Sequence, residues 1–166
     1  TITLVQQELR IKNLPSCEIR ITTGIPLGAG LGSSASVTVS LARALANFLG
    51  HPLPDVSINN IAYEIEKIHH GTPSGIDNTV ITFGAPILFQ KDKRIEFLDV
   101  RNGFTLIIAD SGTASSTAEV VEGVRLRWQE DSARYDQLFE QIATVTMRVH
   151  AVLCNGSLLK SGGLPT

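Results

Sequence analysis

The sequence predicts an α+β fold, in which segments with strand character precede and follow a group of helices. Three observations support this class. Residues 17–23 alternate in polarity and contain β-branched side chains, which favours a strand. Residues 57–69 carry apolar side chains three or four positions apart, which favours a helix. Residues 85–100 contain two short apolar segments around a polar turn, which favours a hairpin.

The elements of the first half follow from periodicity and from glycine and proline. Residues 1–12 stay ambiguous, although Ile2, Val5 and Leu9 fit one helical face and the following Asn13-Leu14-Pro15 would end a helix. After the predicted strand comes a glycine-rich loop over residues 24–32. A helix should then begin at Ser33 or Ser34 and run to about Leu49, where Gly50 and Pro52 end it.

The second half is predicted in the same way. The helix over residues 57–69 should bury a stripe formed by Ile58, Ile61, Ala62, Ile65 and Ile68. Residues 70–77 read as a loop, and the hairpin pairs residues 85–90 with residues 95–100. Residues 104–110 predict a buried strand. A long helical region should cover residues 116–153, with a break near Asp131.

The composition excludes several classes of protein. A chain of 166 residues with 43 % apolar content is long enough to bury one globular core. The net charge of −2 and the 5 % aromatic content argue against a nucleic-acid partner. Cys17 and Cys154 form no CxxC pair, which fits a reducing cytosol. No apolar run is long enough for a membrane span and no signal peptide is visible, so we expect a cytoplasmic protein.

The glycine-rich loop is the first candidate site. Pro26 to Ala35 reads PLGAGLGSSA, and the glycines at 28, 30 and 32 leave backbone N–H groups free to point at an anion at the helix N-terminus. The hydroxyls of Ser33 and Ser34 could cap the helix or reach a phosphate-bound Mg²⁺. On spacing alone, a turn that binds nothing is an equal alternative. The loop is neither a Walker A motif nor the dinucleotide fingerprint. A Rossmann domain is a weak alternative, because the acidic residue Asp55 follows the loop.

The second candidate site is the loop that reads EKIHHGTPSGIDN from Glu66 to Asn78. Phosphoryl transfer requires a metal on the phosphates and a carboxylate near the attacking hydroxyl, and Glu66 and Asp77 could fill these roles. We expect Glu66 to lie off the apolar stripe, and periodicity does not distinguish it from Glu64. A solvated glutamate and an Asx-turn aspartate are the alternatives. Adjacent His69 and His70 do not suit one zinc ion.

These two motifs carry a family resemblance. PLGAGLGSSA resembles the ATP phosphate loop of the small-molecule kinases that include galactokinase, homoserine kinase and mevalonate kinase, and HGTPSGIDN resembles the form of the second loop found in mevalonate kinases. The resemblance implies Asp77 as the catalytic residue, and Ser34 and Glu66 as Mg²⁺ ligands. It implies that ATP phosphates contact Gly28, Ala29, Gly30, Leu31, Gly32, Ser33 and Ser34. It implies that the substrate, mevalonate, contacts His70, Thr72, Ser74, Gly75 and Ser111.

The resemblance also implies the fold and the reaction. The fold would be a fragment of the two-domain GHMP-type kinase fold, with a ribosomal-protein-like N-terminal domain and the start of a ferredoxin-like C-terminal domain. Residues 1–100 would be the C-terminal part of the ATP-binding domain, and residues 101–166 the start of the second domain. The enzyme would make 5-phosphomevalonate for isoprenoid synthesis, with a homodimer as one option for its assembly.

Three alternatives stay open beside this reading. The first is a sister kinase that acts on phosphomevalonate or on another hydroxyl of mevalonate, the second a non-catalytic nucleotide-binding module, and the third a structural domain that binds neither ligand. The first and third family signatures are absent from the sequence, and it begins at Thr1 without methionine. We therefore expect both ends to be cut ends and the isolated chain to be weakly active or inactive.

Overall fold

The computed structural model describes residues 1–26, 29–100, 103–109 and 117–155. The described residues contain six helices and one two-stranded sheet: α1 Ile2–Leu9, α2 Ser33–Phe48, α3 Asp55–His70, α4 Ile76–Phe83, β1 Ile87–Leu88, β2 Glu96–Phe97, α5 Thr117–Glu130 and α6 Ser132–Asn155. They fall into two units. Of the described residues, the N-terminal helical unit contains 1–84 and 117–118, and the C-terminal unit contains 85–100, 103–109 and 119–155. The α+β class is confirmed.

The N-terminal helical unit is built around α2, which packs against α1, α3 and α4. Three alanines on its buried face, Ala35, Ala42 and Ala46, allow close approach, and α3 contributes branched side chains of the predicted stripe. The core consists of Val5, Val39, Ala42, Leu45, Ala46, Ile58, Ile61 and Ala62. Ile68 does not belong to it, because its side chain is 75 % exposed at the last turn of α3, so that part of the predicted stripe is wrong.

Helix α4 was not predicted, and it includes the last two residues of the predicted loop. Glycines with positive φ bound it on both sides: Gly75 precedes it with φ 92° and Gly84 ends it with φ 60°. Left-handed backbone of this kind is costly for residues with a Cβ, so the two glycines define the limits of the helix. Arg43 of α2 donates one hydrogen bond to the carbonyl of Thr82, near the C-terminus of α4, and another to Asp55 of α3.

The predicted strands at residues 17–23 and 104–110 are wrong for the residues that the structure describes there. Both segments lack helix and strand and are exposed; Ile21 is 55 % exposed and Ile107 is 93 % exposed. A strand requires a hydrogen-bonded neighbour. Within the described ranges, the sheet contains only β1 and β2, so neither segment has one.

The C-terminal unit contains the predicted hairpin, with Ile87 opposite Phe97 and Leu88 opposite Glu96 in an antiparallel pair. The strands are shorter than predicted. The break near Asp131 is confirmed, since α5 ends at Glu130 and α6 begins at Ser132. β1 and the last turns of α6 line a groove of about 270 Å³, in which His150 Nε2 lies 3.3 Å from Glu96 Oε1.

None of the described helices combines the length and the hydropathy that a bilayer crossing requires.

Candidate phosphate and metal site

The glycine-rich loop leads directly into α2. Gly30 and Gly32 both have left-handed backbone, with φ 70° and φ 69°. Gly32 is the N-cap of α2, and a Cβ at this position would lie 2.9 Å from Ile81 Cδ1 of α4, whereas a Cβ at Gly30 would meet nothing within 4 Å. Gly32 is therefore required by the backbone and by the packing of α4. Gly28 lies outside the described residues, and Ala29 and Leu31 complete the described part of the predicted loop.

The first turn of α2 offers backbone donors. The N–H groups at the first positions of any helix have no intrahelical acceptor, and here these positions are Ser33, Ser34 and Ala35. Among the residues that the structure describes, no side chain caps this helix end; Ser36 Oγ instead donates back to the carbonyl of Gly32, at 2.9 Å. The helix macrodipole adds a partial positive charge at the same end. Free N–H groups and this charge together are the features that bind phosphate at helix N-termini.

A hydrogen bond connects this helix end to α3. Ser34 Oγ donates to Glu66 Oε1 at 2.8 Å, across 32 residues of sequence. The Ser34 side chain is exposed, whereas Glu66 is only 5 % exposed. A hydroxyl and a carboxylate oxygen thus lie side by side at the start of α2, and both are hard oxygen ligands of the kind that Mg²⁺ prefers.

Glu66 lies on the buried face of α3, contrary to the expectation that it lies off the stripe. It follows Ala62 by four residues, so the two side chains project from the same face. Glu64 is different, because it is exposed and pairs with Lys67 at 2.6 Å. A buried carboxylate requires compensating polar partners, and Ser34 is one of them.

Asp77 is the second residue of α4. Its side chain is exposed, and among the described residues it makes no hydrogen bond or ion pair. The turn before it is held locally: Ile76 N donates to Ser74 Oγ at 3.3 Å, and Thr79 Oγ1 donates to the carbonyl of Gly75 at 2.6 Å. The Asp77 carboxylate therefore projects from a fixed helical turn and is accessible to a ligand.

The other predicted substrate residues have different surroundings. Thr72 and Ser74 are exposed in the turn between α3 and α4, and Gly75 is buried at the start of α4. His70 is the last residue of α3, but its side chain lies outside the described residues, and Ser111 lies outside them entirely. The structure thus joins Ser34 to Glu66. It places Thr72 and Ser74 in the turn between α3 and α4, and Gly75 and Asp77 at the start of α4.

A set of buried polar residues beside Asp77 was not predicted from the sequence. Asn78 and Thr79 are 2 % and 3 % exposed, and Asn78 Nδ2 donates to Asn59 Oδ1 on α3 at 2.7 Å. The available signal was the pair of polar residues directly after Asp77 in a segment whose neighbours are apolar. Nothing in the spacing of Asn59 and Asn78 indicates that they meet.

The described residues contain no group of three or more His, Cys, Asp and Glu side chains that could hold a metal ion. Mg²⁺ does not require such a group, since it is usually bound through one or two carboxylates together with substrate phosphates and water. Ser34 and Glu66 beside the open N-terminus of α2 fit that mode of binding. The arrangement can hold a polyphosphate chain and its cation.

The chain is similar to proteins of one known family. Residues 1–85 match the model of the GHMP kinases N terminal domain. Two curated relatives are mevalonate kinases: the Pyrococcus furiosus protein is 32 % identical over 92 % of this chain and 45 % of its own length, and the Mus musculus protein is 31 % identical over 86 % of this chain and 40 % of its own. The chain therefore spans less than half the length of these relatives.

A solved structure is similar as well. The crystal structure of L. major mevalonate kinase in complex with R-mevalonate matches with a TM-score of 0.66 and 26 % sequence identity. The match covers 93 % of this chain and 49 % of that chain. The similarity therefore extends over most of this chain.

Proposed function

Because the chain belongs to the GHMP kinase family, we propose that the protein transfers the γ-phosphoryl group of ATP to the primary hydroxyl of mevalonate. The observation that carries the proposal is the hydrogen bond between Ser34 and Glu66 at the N-terminus of α2. It joins the glycine-rich loop to the helix that precedes Asp77. The choice of mevalonate as the substrate rests on the similar proteins, which include mevalonate kinases.

In this proposal, the loop from Gly28 to Ser34 and the first turn of α2 bind the phosphates of ATP. Backbone N–H groups donate to phosphate oxygens, and the positive end of the helix opposes their charge. Gly32, with left-handed backbone, allows the loop to approach α4, and the glycines present no Cβ to the ligand. The net charge of the protein need not be positive for this mode of binding.

Ser34 and Glu66 are the proposed ligands of Mg²⁺. At this position they would hold the ion, which would supply positive charge against the phosphates. Burial on α3 and the hydrogen bond from Ser34 hold the Glu66 carboxylate in one orientation. The two residues come from different helices of one core, so the packing of α2 on α3 fixes their separation.

Asp77 is the proposed catalytic residue, which orients or deprotonates the attacking hydroxyl of mevalonate. Its exposed carboxylate is free to accept a hydrogen bond from that hydroxyl. Around it, the proposal assigns mevalonate contacts to His70, Thr72, Ser74, Gly75 and Ser111. Most of the rate enhancement then comes from positioning and charge neutralisation, because phosphoryl transfer needs little covalent participation by the protein.

The proposal extends to the whole protein. It includes a cytoplasmic location, no nucleic-acid partner, and a homodimer as the assembly to be tested. It also assigns residues 1–100 to the ATP-binding domain and residues 101–166 to the start of the second domain.

The test is ADP release by the full-length protein with mevalonate, phosphomevalonate, homoserine and galactose in turn. We expect turnover with mevalonate only, and a fall in kcat of about 100-fold or more in Asp77→Asn, the magnitude usual for loss of a general base. The matched control is Asp92→Asn, an exposed aspartate at the hairpin turn, which should not change kcat.

Two results would contradict the proposal. Turnover with phosphomevalonate instead of mevalonate would assign the protein to a sister kinase. Binding of Mg-ATP without ADP release with any substrate would make it a non-catalytic nucleotide-binding relative.

A further inference from the structure

Four polar groups form a chain of hydrogen bonds between α3 and the first turn of α4. Asn78 Nδ2 donates to Asn59 Oδ1 at 2.7 Å. Asn59 Nδ2 in turn lies 3.4 Å from Thr79 Oγ1, and Thr79 Oγ1 donates to the carbonyl of Gly75 at 2.6 Å. We call this set of residues, Asn59, Gly75, Asn78 and Thr79, the amide relay.

The direction of each hydrogen bond in the amide relay follows from the others. The carbonyl of Gly75 can only accept, so the hydroxyl of Thr79 donates to it and accepts from the amide of Asn59. The carbonyl oxygen of Asn59 must then face Asn78 and accept from its amide. Both asparagine side chains are therefore held in one orientation.

Three of the four residues of the amide relay are buried, so the polar character of the set requires an explanation. Asn78 and Thr79 are 2 % and 3 % exposed, and Asn59 is half-buried. Among the described residues, Asn78 Oδ1 is buried without a hydrogen-bond partner. Apolar side chains of similar size would fill the same space without the desolvation cost of polar groups. The polar set gives a fixed orientation that apolar packing does not.

Residues of the amide relay lie on both sides of Asp77 in the sequence, and their hydrogen bonds reach α3, the helix that carries Glu66. Gly75, Asn78 and Thr79 flank Asp77, whose own side chain has no partner among the described residues. Asn59 lies seven residues before Glu66, which is about two turns of α3. Hydrogen bonds to Asn59 therefore fix the turn that carries Asp77 relative to the helix that carries Glu66.

We infer that Asn59 and Asn78 are positioning residues that set the carboxylate of Asp77 relative to the Ser34–Glu66 pair, through the hydrogen bonds that join α3 to α4. The inference rests on the proposed function, because it concerns the geometry of the same site. Neither asparagine contacts the reacting atoms. Loss of the amide relay displaces Asp77 and slows the chemical step, while the phosphate loop still binds ATP.

The first experiment measures kcat and KM of full-length Asn59→Ala with mevalonate and ATP. We expect kcat per folded molecule to fall by about 10-fold to 100-fold, the size of effect that a misplacement near 1 Å produces. KM for ATP should stay within about twofold, because uniform binding is retained. The matched control is Asn60→Ala, an exposed asparagine on the same helix that has no hydrogen bond among the described residues. It should leave both constants unchanged.

A second set of variants tests whether the asparagines act as one unit. If they do, Asn59→Ala with Asn78→Ala should reduce kcat no further than the larger of the two single effects. Thr79→Val removes the hydroxyl and keeps the shape, whereas Thr79→Ser keeps the hydroxyl. Thr79→Ser should therefore retain more of the wild-type kcat than Thr79→Val. This pair gives a result even where Asn78→Ala fails to fold.

The outcomes separate the inference from the proposed function. Wild-type turnover with an unchanged kcat in Asn59→Ala and Thr79→Val would overturn the inference and leave the kinase intact. Losses of kcat that are additive in the double variant, or that follow only the folded fraction, would also overturn the inference. The amide relay would then only stabilise the fold. Absence of mevalonate phosphorylation by the wild-type protein would remove the proposed function, and the inference with it.

Discussion

The two units of the protein use similar helices in different ways. In the N-terminal helical unit, apolar side chains from α1, α2 and α3 bury one another, and Ile58 and Val5 are completely buried. In the C-terminal unit, α6 is longer than any helix of the other unit, yet Ile142 and Met147 are 62 % and 52 % exposed. A periodic sequence is therefore enough to form a helix, but helix packing is needed to fix side chains in space.

This difference explains the location of the candidate site. Every predicted site residue that the structure describes lies in the N-terminal helical unit, where helices contact each other. Its buried polar residues include Glu66, Asn78 and Thr79. Precise positioning of a carboxylate depends on such packing, because an exposed side chain on a lone helix keeps several rotamers.

The largest expected effect comes from the core of the N-terminal helical unit. Ile58→Ala removes a completely buried side chain between α3 and its neighbours, so we expect a loss of about 2–5 kcal/mol in the free energy of unfolding. The matched change in the C-terminal unit is Ile142→Ala, at an exposed position of α6, and it should cost less than about 0.5 kcal/mol. Urea denaturation of both variants measures the two values.

Equal losses in the two variants would contradict the comparison. A large loss in Ile142→Ala would mean that another surface covers α6 in the full-length protein. A small loss in Ile58→Ala would mean that the four-helix core contributes little to stability.

A smaller loss of stability is expected from changes to the glycines of the phosphate loop. Gly32→Ala places a Cβ 2.9 Å from Ile81 Cδ1 in a left-handed backbone, so we expect about 2–4 kcal/mol of destabilisation. Gly30→Ala has the same φ and open space around it, so only the backbone cost of about 1–2 kcal/mol should apply. Thermal unfolding of the two variants isolates the contact with Ile81.

The contact has its own control. Shortening Ile81 to alanine in the Gly32→Ala background should recover part of the loss, because the flexible end of Ile81 is the atom in conflict. Equal destabilisation by Gly30→Ala and Gly32→Ala would show that packing between the loop and α4 is unimportant.

The helices were predictable because their signals are local. Regular apolar spacing and flanking glycines define α2 and α3, and Asp131 marks the break between α5 and α6. The strand predictions failed because a strand depends on a partner that local sequence does not specify. α4 was missed because Thr79, Val80 and Ile81 are β-branched and favour strands, although Gly84 supplies the stop signal of a helix.

The candidate site was predictable only in part. The glycine-rich loop and Asp77 belong to continuous motifs, so their residues could be named from resemblance. The burial of Glu66 could have been found from its position four residues after Ala62. The amide relay could not, because Asn59 and Asn78 meet only through the packing of α3 on α4.

The smallest expected effect is at an exposed pair on α5, in the C-terminal unit. Arg125 donates two hydrogen bonds to Glu122, at 2.6 Å and 2.8 Å, and these hold the pKa of the Glu122 carboxyl below its ordinary value of 4.5. Because the folded pKa is lowered, the pair stabilises the protein fully above the ordinary value, and this contribution is lost as the pH falls through the folded pKa. Water screens so exposed a pair, so its effect on unfolding at neutral pH should be negligible.

Arg125→Ala should therefore raise the pKa of Glu122 toward 4.5 without changing the unfolding midpoint at pH 7. An NMR titration of the Glu122 carboxyl carbon measures the pKa. The matched control is Arg127→Ala, because Arg127 donates to the carbonyl of Gly123 rather than to a carboxylate, and it should leave the titration unchanged. A pKa that stays low in Arg125→Ala would assign the shift to another group. A fall in the unfolding midpoint would show that an exposed pair of the C-terminal unit contributes to stability in the way that buried polar contacts do in the N-terminal helical unit.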